Sequence, residues 1–181
     1  FLQGGRKQLV AGYVLYGPST SLVMTTGGPT RGYTLDSTHG GFLLTTPEYR
    51  IPTNTNEYAV NMANYPFWNA KYKSYFGRLF VHNPDFVSPT LRWNAAMVGD
   101  MHRVISRGGV YVYPGDQRDN MSLGKLRLLY EANPMAWLVE NAGGQGYAED
   151  VAILDVEPVS LHQRTPVLLG SEDTVALINS F

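Results

Sequence analysis

The sequence contains no cysteine. That absence excludes disulfide bonds, cysteine-ligated zinc and thiol redox control from these 181 residues. Long hydrophobic runs are missing too: no apolar stretch approaches the ~20 residues of a membrane span, and no signal peptide is recognisable at the first residues. Because a chain without disulfides suits a reducing compartment, we expect a cytoplasmic protein.

An excess of charge of one sign is also lacking. The formal net charge is −1, with 16% charged and 44% hydrophobic residues, which is typical of a globular protein. Such a balance argues against nonspecific binding to nucleic acid or to membranes, while leaving room for a local basic pocket. We find no internal repeat or linker, and we expect one domain over residues 1–181.

The first part of the chain is rich in predicted strands. Residues 9–16 and 20–26 are apolar and β-prone, and the turn Gly17-Pro18-Ser19 separates them. Shorter strands are predicted at Tyr33–Leu35 and Phe42–Thr46, and a short aromatic helix at residues 67–80.

The second part alternates helices with strands. Asn94 is predicted to cap a helix, because apolar residues follow it at helical spacing, and Gly108-Gly109 ends that helix. A buried strand follows at Val110–Tyr113, then a polar loop at Asp116–Ser122. The remaining predictions are a helix from Pro134 that stops at Gly143-Gly144, with Gly144-Gln145-Gly146 as its C-terminal turn, a strand at Pro166–Leu169, and a last helix capped by Ser171. This order predicts an α/β fold, a layered sandwich of a mixed β-sheet with flanking helices.

The segment from Lys125 to Ala136 carries the strongest chemical signal. Leu126 and Leu128 alternate with Lys125 and Arg127, so an extended chain would place both cations on one face about 6.6 Å apart.

Beyond the two cations, Asn133 is predicted as a helix N-cap and Pro134 as the first helical residue. Glu131 would then lie beside a positive helix terminus, where a phosphate and a bridging metal ion are favoured. The alternative is a buried strand flanked by a solvated ion pair.

Residues 124–136, GKLRLLYEANPMA, resemble the active-site segment of class I fructose-1,6-bisphosphatases. Further similar segments occur in the family's order: Ala11–Gly17, Met97–Arg103, Gly108–Pro114, Glu140–Gly144, His162–Pro166 and Leu169–Ser171. The resemblance covers the family's C-terminal half and implies the corresponding half of the sugar-phosphatase fold. The upstream acidic signature of the family, Asp-Pro-Leu-Asp-Gly-Ser, does not occur in this sequence.

The resemblance implies metal-dependent hydrolysis of the 1-phosphate of fructose 1,6-bisphosphate, as in gluconeogenesis. It also implies Mg²⁺ or Mn²⁺ as cofactor, a homotetramer, and a missing N-terminal half as partner, without which this chain is expected to be inactive. Two alternatives stay open: a sedoheptulose-1,7-bisphosphatase or dual-specificity enzyme, and a non-catalytic sugar-phosphate-binding fragment.

The resemblance also assigns roles to residues. Glu131 matches a metal ligand, Arg127 a residue near the 1-phosphate, and Lys125 one that reaches the sugar and the 6-phosphate. Asn61, Tyr113 and Arg92 match the 6-phosphate pocket, with the arginine reaching across from a neighbouring subunit.

Two further positions complete the implied substrate-binding set. Met97 lies near the sugar in the family, and Trp93 stands where the family usually has a tyrosine that donates to the 6-phosphate. An indole N–H can donate in only one direction, so this pocket departs from the family pattern. The residues after Asn61 also depart from the usual Asn-Glu-Gly pattern.

Overall fold

The computed structural model describes residues 1–82 and 87–181. The first four strands pair antiparallel in sequence order as one sheet: β1 (Ala11–Leu15), β2 (Ser21–Thr25), β3 (Arg31–Asp36) and β4 (Gly41–Thr46). All four lie where the sequence predicts strands, and Gly17-Pro18-Ser19 forms the first turn.

A second sheet has the strand order β6-β5-β7-β10-β8-β9. Its strands are β5 (Glu57–Val60), β6 (Thr90–Leu91), β7 (Val110–Tyr113), β8 (Gln145–Ala148), β9 (Val151–Ala152) and β10 (Val167–Gly170). β5 runs parallel to both β6 and β7, whereas β10 runs antiparallel to β7 and β8, so the sheet is mixed. β7 and β10 confirm two predicted strands. The sequence does not predict β5 and β8, because each has only four residues and no clear alternation of apolar and polar side chains.

Four α-helices cover the sheets: α1 (Ala70–Gly77), α2 (Met97–Arg107), α3 (Asn133–Glu140) and α4 (Glu172–Asn179). Alternate residues of the six-stranded sheet face opposite sides. Tyr111 and Leu169 join the core that contains α2, α3, β1 and β2, whereas Val112 and Leu168 join the core that contains α1 and α4. The layers are therefore sheet, helices, sheet and helices, which confirms the predicted α/β sandwich.

Two predicted N-caps are wrong. α2 begins after Ala96, not Asn94, and the Asn94 N–H instead donates to the Asp100 carboxylate at 2.8 Å. Asn133 is itself helical (φ −60°, ψ −52°), because a π-helical turn over Leu128–Ala132 leads straight into α3. Its side chain therefore has no helix start to cap.

The other helix ends follow the predictions more closely. Ser171 is the residue before α4, although its hydroxyl oxygen accepts from the Gly109 N–H at 3.0 Å and does not cap the helix. Gly143 has a φ of +82° beyond the end of α3, which is the left-handed geometry predicted there. The predicted turn at Gly144-Gln145-Gly146 is too long, because Gln145 already begins β8.

Among the described residues, none of the helices combines the length and the apolar character that crossing a membrane requires.

Two leucines, one in each sheet, differ strongly in solvent exposure, and this difference predicts how much each contributes to stability. Leu169 in β10 is fully buried, whereas Leu43 in β4 is 58% exposed. Leu169→Ala should lower the free energy of unfolding by about 2–5 kcal/mol through lost burial and a residual cavity. Leu43→Ala is the matched control and should change it by no more than about 0.5 kcal/mol. Chemical denaturation followed by circular dichroism measures both, and equal effects would contradict the described core.

Candidate functional site

Two neighbouring parallel strands, β5 and β7, end at the same edge of the six-stranded sheet, while β6 ends level with Tyr58, before the end of β5. β5 and β7 pair in register with Val60 opposite Val112, and β6 lies on the other side of β5. Asn61 directly follows β5, Tyr113 is the last residue of β7, and Arg92-Trp93 follow β6. Ligands of open α/β sheets bind outside the carboxyl ends of such strands. The topology thus brings Asn61 and Tyr113, which are far apart in the sequence, to one edge, whereas the Arg92 side chain lies near Glu57 at the start of β5.

The segment that carries Lys125 and Arg127 lies beside this edge. β10 runs opposite to β7, so its first residue, Val167, pairs with Tyr113 at the end of β7. The residues just before β10 then hold the segment: the Thr165 N–H donates to the Leu126 carbonyl at 2.9 Å, and the Leu128 N–H donates to the Gln163 carbonyl at 2.8 Å.

A glycine allows the segment to approach the sheet edge. Gly124 has a φ of +70°, and a β-carbon there would lie 3.3 Å from the Thr165 carbonyl oxygen and 3.4 Å from that of Tyr113. Both the backbone conformation and the space therefore favour glycine immediately before Lys125.

The predicted extended strand around Lys125 and Arg127 is only partly correct. Leu126 and Leu128 are buried while Lys125 is exposed, as the alternation predicts, and Arg127 has extended dihedrals (φ −92°, ψ 139°). The segment forms one isolated bridge, between Arg127 and Arg164, and no continuous ladder. The chain turns helical at Leu128, so the two cations precede a helical turn directly.

Glu131 folds back over Arg127. It lies in the π-helical turn, and its Oε2 accepts from the Arg127 N–H at 2.8 Å and is 3.9 Å from the Arg127 guanidinium. Both side chains are about one-third exposed (38% and 31%), so the ion pair itself contributes at most about 1 kcal/mol. Its consequence is geometric: the carboxylate and the guanidinium are fixed side by side, in a type of turn that is frequent at functional sites.

The described part of the chain supplies one carboxylate for a metal ion and not a full set. No group of three or more His, Cys, Asp or Glu side chains in residues 1–82 and 87–181 is placed to hold a metal. Glu131 Oε1 makes no hydrogen bond within these residues. A hard cation such as Mg²⁺ prefers carboxylate oxygens, so Glu131 fits one position of its ligand shell. The remaining ligands have to come from elsewhere.

Arg92 lies in a cluster of charges. Its Nε is 3.8 Å from Glu57 Oε1, and Arg103 holds the same carboxylate through two hydrogen bonds of 2.7 and 2.6 Å. The bonds from Arg103 lower the pKa of Glu57, so this carboxyl stays ionised at neutral pH. Arg92 keeps 51% of its side chain exposed and is therefore accessible to a ligand.

The remaining predicted residues pack against the main core or cap a turn. Trp93 stacks on Tyr111 with ring centroids 5.9 Å apart, and Trp93, Met97 and Tyr113 are partly buried against the main core. The Asn61 side-chain oxygen accepts from the Ala63 N–H at 3.2 Å and caps the 3₁₀ turn Met62–Phe67. Its amide nitrogen remains as the donor toward a ligand.

Some residues of this region carry no sequence signal. Glu57 and Arg103 lie 46 positions apart, and each is an ordinary charged residue in its own segment. The buried Asp116 and its partner Arg118 fall in a loop that the sequence describes only as polar. The Glu57–Arg103 contact is made by tertiary structure alone, whereas the Asp116–Arg118 contact is local, between residues two positions apart.

Comparison with known proteins matches two family models to two consecutive parts of the chain. Residues 51–181 match the family model "Fructose-1-6-bisphosphatase, C-terminal domain", and residues 1–47 match "Fructose-1-6-bisphosphatase, N-terminal domain". The first match begins shortly before β5 and covers the six-stranded sheet, and the second covers the four-stranded sheet.

Relatives and solved structures agree with this assignment. A class 1 fructose-1,6-bisphosphatase of Cellvibrio japonicus is 56% identical over 100% of this chain and 57% of its own length. One from Pseudoalteromonas translucida is 55% identical over 99% of this chain and 55% of its own. The holo-form crystal structure of Leishmania major fructose-1,6-bisphosphatase superposes with a TM-score of 0.93 at 41% identity, covering 99% of this chain and 55% of that one.

The chain thus spans somewhat more than half the length of the curated relatives that it matches. The matching segments include the sheet edge and the turn with Glu131, and they extend over both sheets. On sequence and on structure alike, the chain belongs to the class I fructose-1,6-bisphosphatase family.

Proposed function

We propose that this protein hydrolyses the 1-phosphate of fructose 1,6-bisphosphate, releasing fructose 6-phosphate and phosphate. The observation that carries the proposal is the placement of Lys125, Arg127 and Glu131 in one short segment beside the edge where Asn61 and Tyr113 lie. Relatives that bear the name of this activity share more than half of the residues of this chain.

The two cations of the segment serve the phosphoryl transfer. The Arg127 guanidinium, held beside Glu131, offers charged donors to the 1-phosphate and neutralises charge that develops on its oxygens. The exposed Lys125 ammonium reaches the sugar and the 6-phosphate as a flexible point charge.

The ends of the parallel strands form the pocket for the 6-phosphate. The Asn61 amide nitrogen, the Tyr113 hydroxyl and the Arg92 guanidinium are the donors, Trp93 lines this pocket with its single indole N–H, and Met97 lies next to the sugar. In this proposal Arg92 serves the pocket of a neighbouring copy, so the functional protein is a homo-oligomer, a tetramer by family resemblance.

Mg²⁺, or Mn²⁺ in its place, would be held by Glu131 together with ligands from the upstream half of the family's fold. When bound, the metal would polarise the phosphoryl group and supply a nucleophilic water. Residues 1–82 and 87–181 supply a single suitable carboxylate, so we expect this chain alone not to turn over the substrate. We further propose a cytoplasmic location and a role in carbohydrate metabolism such as gluconeogenesis.

Removing either cation tests the proposal. In the full-length enzyme, Arg127→Ala and Lys125→Ala should each lower kcat/KM for fructose 1,6-bisphosphate about 10- to 150-fold, the equivalent of one charge-assisted hydrogen bond. The melting temperature should hardly change, because Lys125 is exposed and the partly exposed Arg127–Glu131 pair contributes at most about 1 kcal/mol. Phosphate release with Mg²⁺ is the assay, with sedoheptulose 1,7-bisphosphate run in parallel. A wild-type enzyme that leaves both sugars intact would refute the proposed activity.

Glu131→Gln should weaken activation by the metal, since a neutral amide is a poorer ligand for a hard cation. The amide oxygen can still accept from the Arg127 N–H, so the turn should keep its shape. A magnesium titration of activity measures the effect, and a higher half-saturation point is expected with KM little changed. An unaltered titration would remove Glu131 from the metal site.

Trp93→Tyr should preserve or improve KM, because a phenol hydroxyl can both donate to the 6-phosphate and retain the stack on Tyr111. Steady-state kinetics and a thermal melt on the same preparation separate two roles. Loss of stability without a kinetic change would show that Trp93 only packs against the core.

A further inference from the structure

The loop from Asp116 to Ser122 leaves the sheet directly beyond Tyr113 and returns to it before Lys125. Its two ends touch: the Asp116 N–H donates to the Met121 carbonyl at 2.9 Å. A β-carbon on Gly115 would lie only 2.0 Å from the Ser122 carbonyl oxygen, so glycine is required there by close approach. The loop is therefore a closed unit whose position its ends determine.

A buried carboxylate organises this loop. The Asp116 side chain is only 2% exposed, and it accepts from the Arg118 N–H at 3.0 Å, from Arg118 Nε at 3.1 Å and from Arg118 Nη2. Hydrogen bonding from Arg118 lowers the pKa of Asp116 below its ordinary value. A buried carboxylate that loses its charged partner destabilises the folded state. Asp116 therefore holds the Arg118 side chain in one position.

Arg118 also connects the loop to the turn that follows β5. Its guanidinium carbon lies 4.6 Å from the centre of the Phe67 ring, in cation–π contact, and the Gln117 N–H donates to the Phe67 carbonyl at 3.0 Å. Trp68 and Asp116 form a β-bridge beside these contacts. Phe67 is the last residue of the 3₁₀ turn that Asn61 caps.

On its other side the loop contacts the segment that holds Leu126. Arg164 Nη1 donates to the Asn120 carbonyl at 3.3 Å, and Arg164 forms the bridge with Arg127. One loop thus touches the segments that carry Asn61, Tyr113 and Arg127, which belong to three separate parts of the chain.

We propose that Asp116, Arg118 and Phe67 form a clamp that positions Asn61 relative to Tyr113, and thereby sets affinity for the phosphate farther from the reacting bond. This role rests on the proposed function, because the ligand of the pocket is the 6-phosphate of the sugar. Arg118 acts through the turn and the loop and does not itself contact the reacting phosphate. It is a positioning residue.

The clamp itself can be tested without any activity. Arg118→Ala should speed hydrogen exchange of the amides at Asp116 and Gln117 in the full-length protein, since their acceptors Met121 and Phe67 lose their fixed position. Arg31→Ala is the matched control, because Arg31 is an exposed arginine on β3 in the other sheet. Unchanged exchange at both amides in Arg118→Ala would show that no clamp exists, whatever the enzyme does.

Kinetics then test the link to the pocket. Arg118→Ala should raise KM for fructose 1,6-bisphosphate and the inhibition constant of fructose 6-phosphate together, by about 3- to 10-fold, with kcat within about twofold. Turnover of fructose 1-phosphate, which lacks the distal phosphate, should not change. An unchanged KM and inhibition constant, or a fall in kcat alone, would overturn the positioning role.

A conservative variant separates geometry from charge. Arg118→Lys keeps the positive charge but loses the planar fork on Asp116 and the stack on Phe67, so it should resemble Arg118→Ala. Wild-type kinetics in Arg118→Lys would show that charge alone matters and would refute the clamp. If the wild-type enzyme lacks bisphosphatase activity, the proposed function fails, and the exchange experiment still decides whether the clamp exists.

Discussion

The parallel, in-register pairing of β5 with β7 is the interaction on which the candidate site depends. It fixes Asn61 and Tyr113 at one edge of the sheet, while the pairing of β6 with β5 places Arg92 near Glu57 at the start of β5. Asn61 and Tyr113 stand just past and at the end of a short strand, so any shift in register would move their side chains away from the edge. The two apolar layers on either face of the sheet hold this register, since alternate residues of β5, β7 and β10 belong to different cores.

The reversed direction of β10 explains how the phosphate-binding cations reach the same edge. Parallel strands alone would need a long crossover to return there, whereas an antiparallel strand begins where its neighbour ends. The residues before β10 can therefore hold Leu126 and Leu128 through backbone hydrogen bonds. Lys125 and Arg127 are thus positioned by buried leucines and by main-chain bonds, while the Lys125 head is exposed and the Arg127 head lies partly exposed beside Glu131.

Local patterns allowed most of the regular structure to be predicted, and the failures have definite causes. The four strands of the first sheet, β7, β10 and the main helices have apolar periodicity and glycine or proline at their ends. β5 and β8 have only four residues each, which is too few for an alternating apolar pattern to be recognised. The predicted caps at Asn94 and Asn133 failed because a cap depends on where the helix begins. That point was set by the hydrogen bond of Asp100 in one case and by a π-helical turn in the other.

The features of the candidate site likewise divide into those that the sequence predicts and those that only the structure shows. The sequence by itself determined the candidate phosphate-binding cations and metal-binding carboxylate. Lys125, Arg127 and Glu131 lie within one short segment that resembles a known family residue by residue. It also determined which leucines of that segment are buried. Only the tertiary structure decided that Glu131 folds back onto the Arg127 N–H, that Glu57 and Arg103 stand beside Arg92, and that Asp116 and Arg118 join the turn after Asn61. The physical reason is that such contacts join residues through strand pairing and burial, whose partners lie tens of positions away and leave no local pattern in the chain.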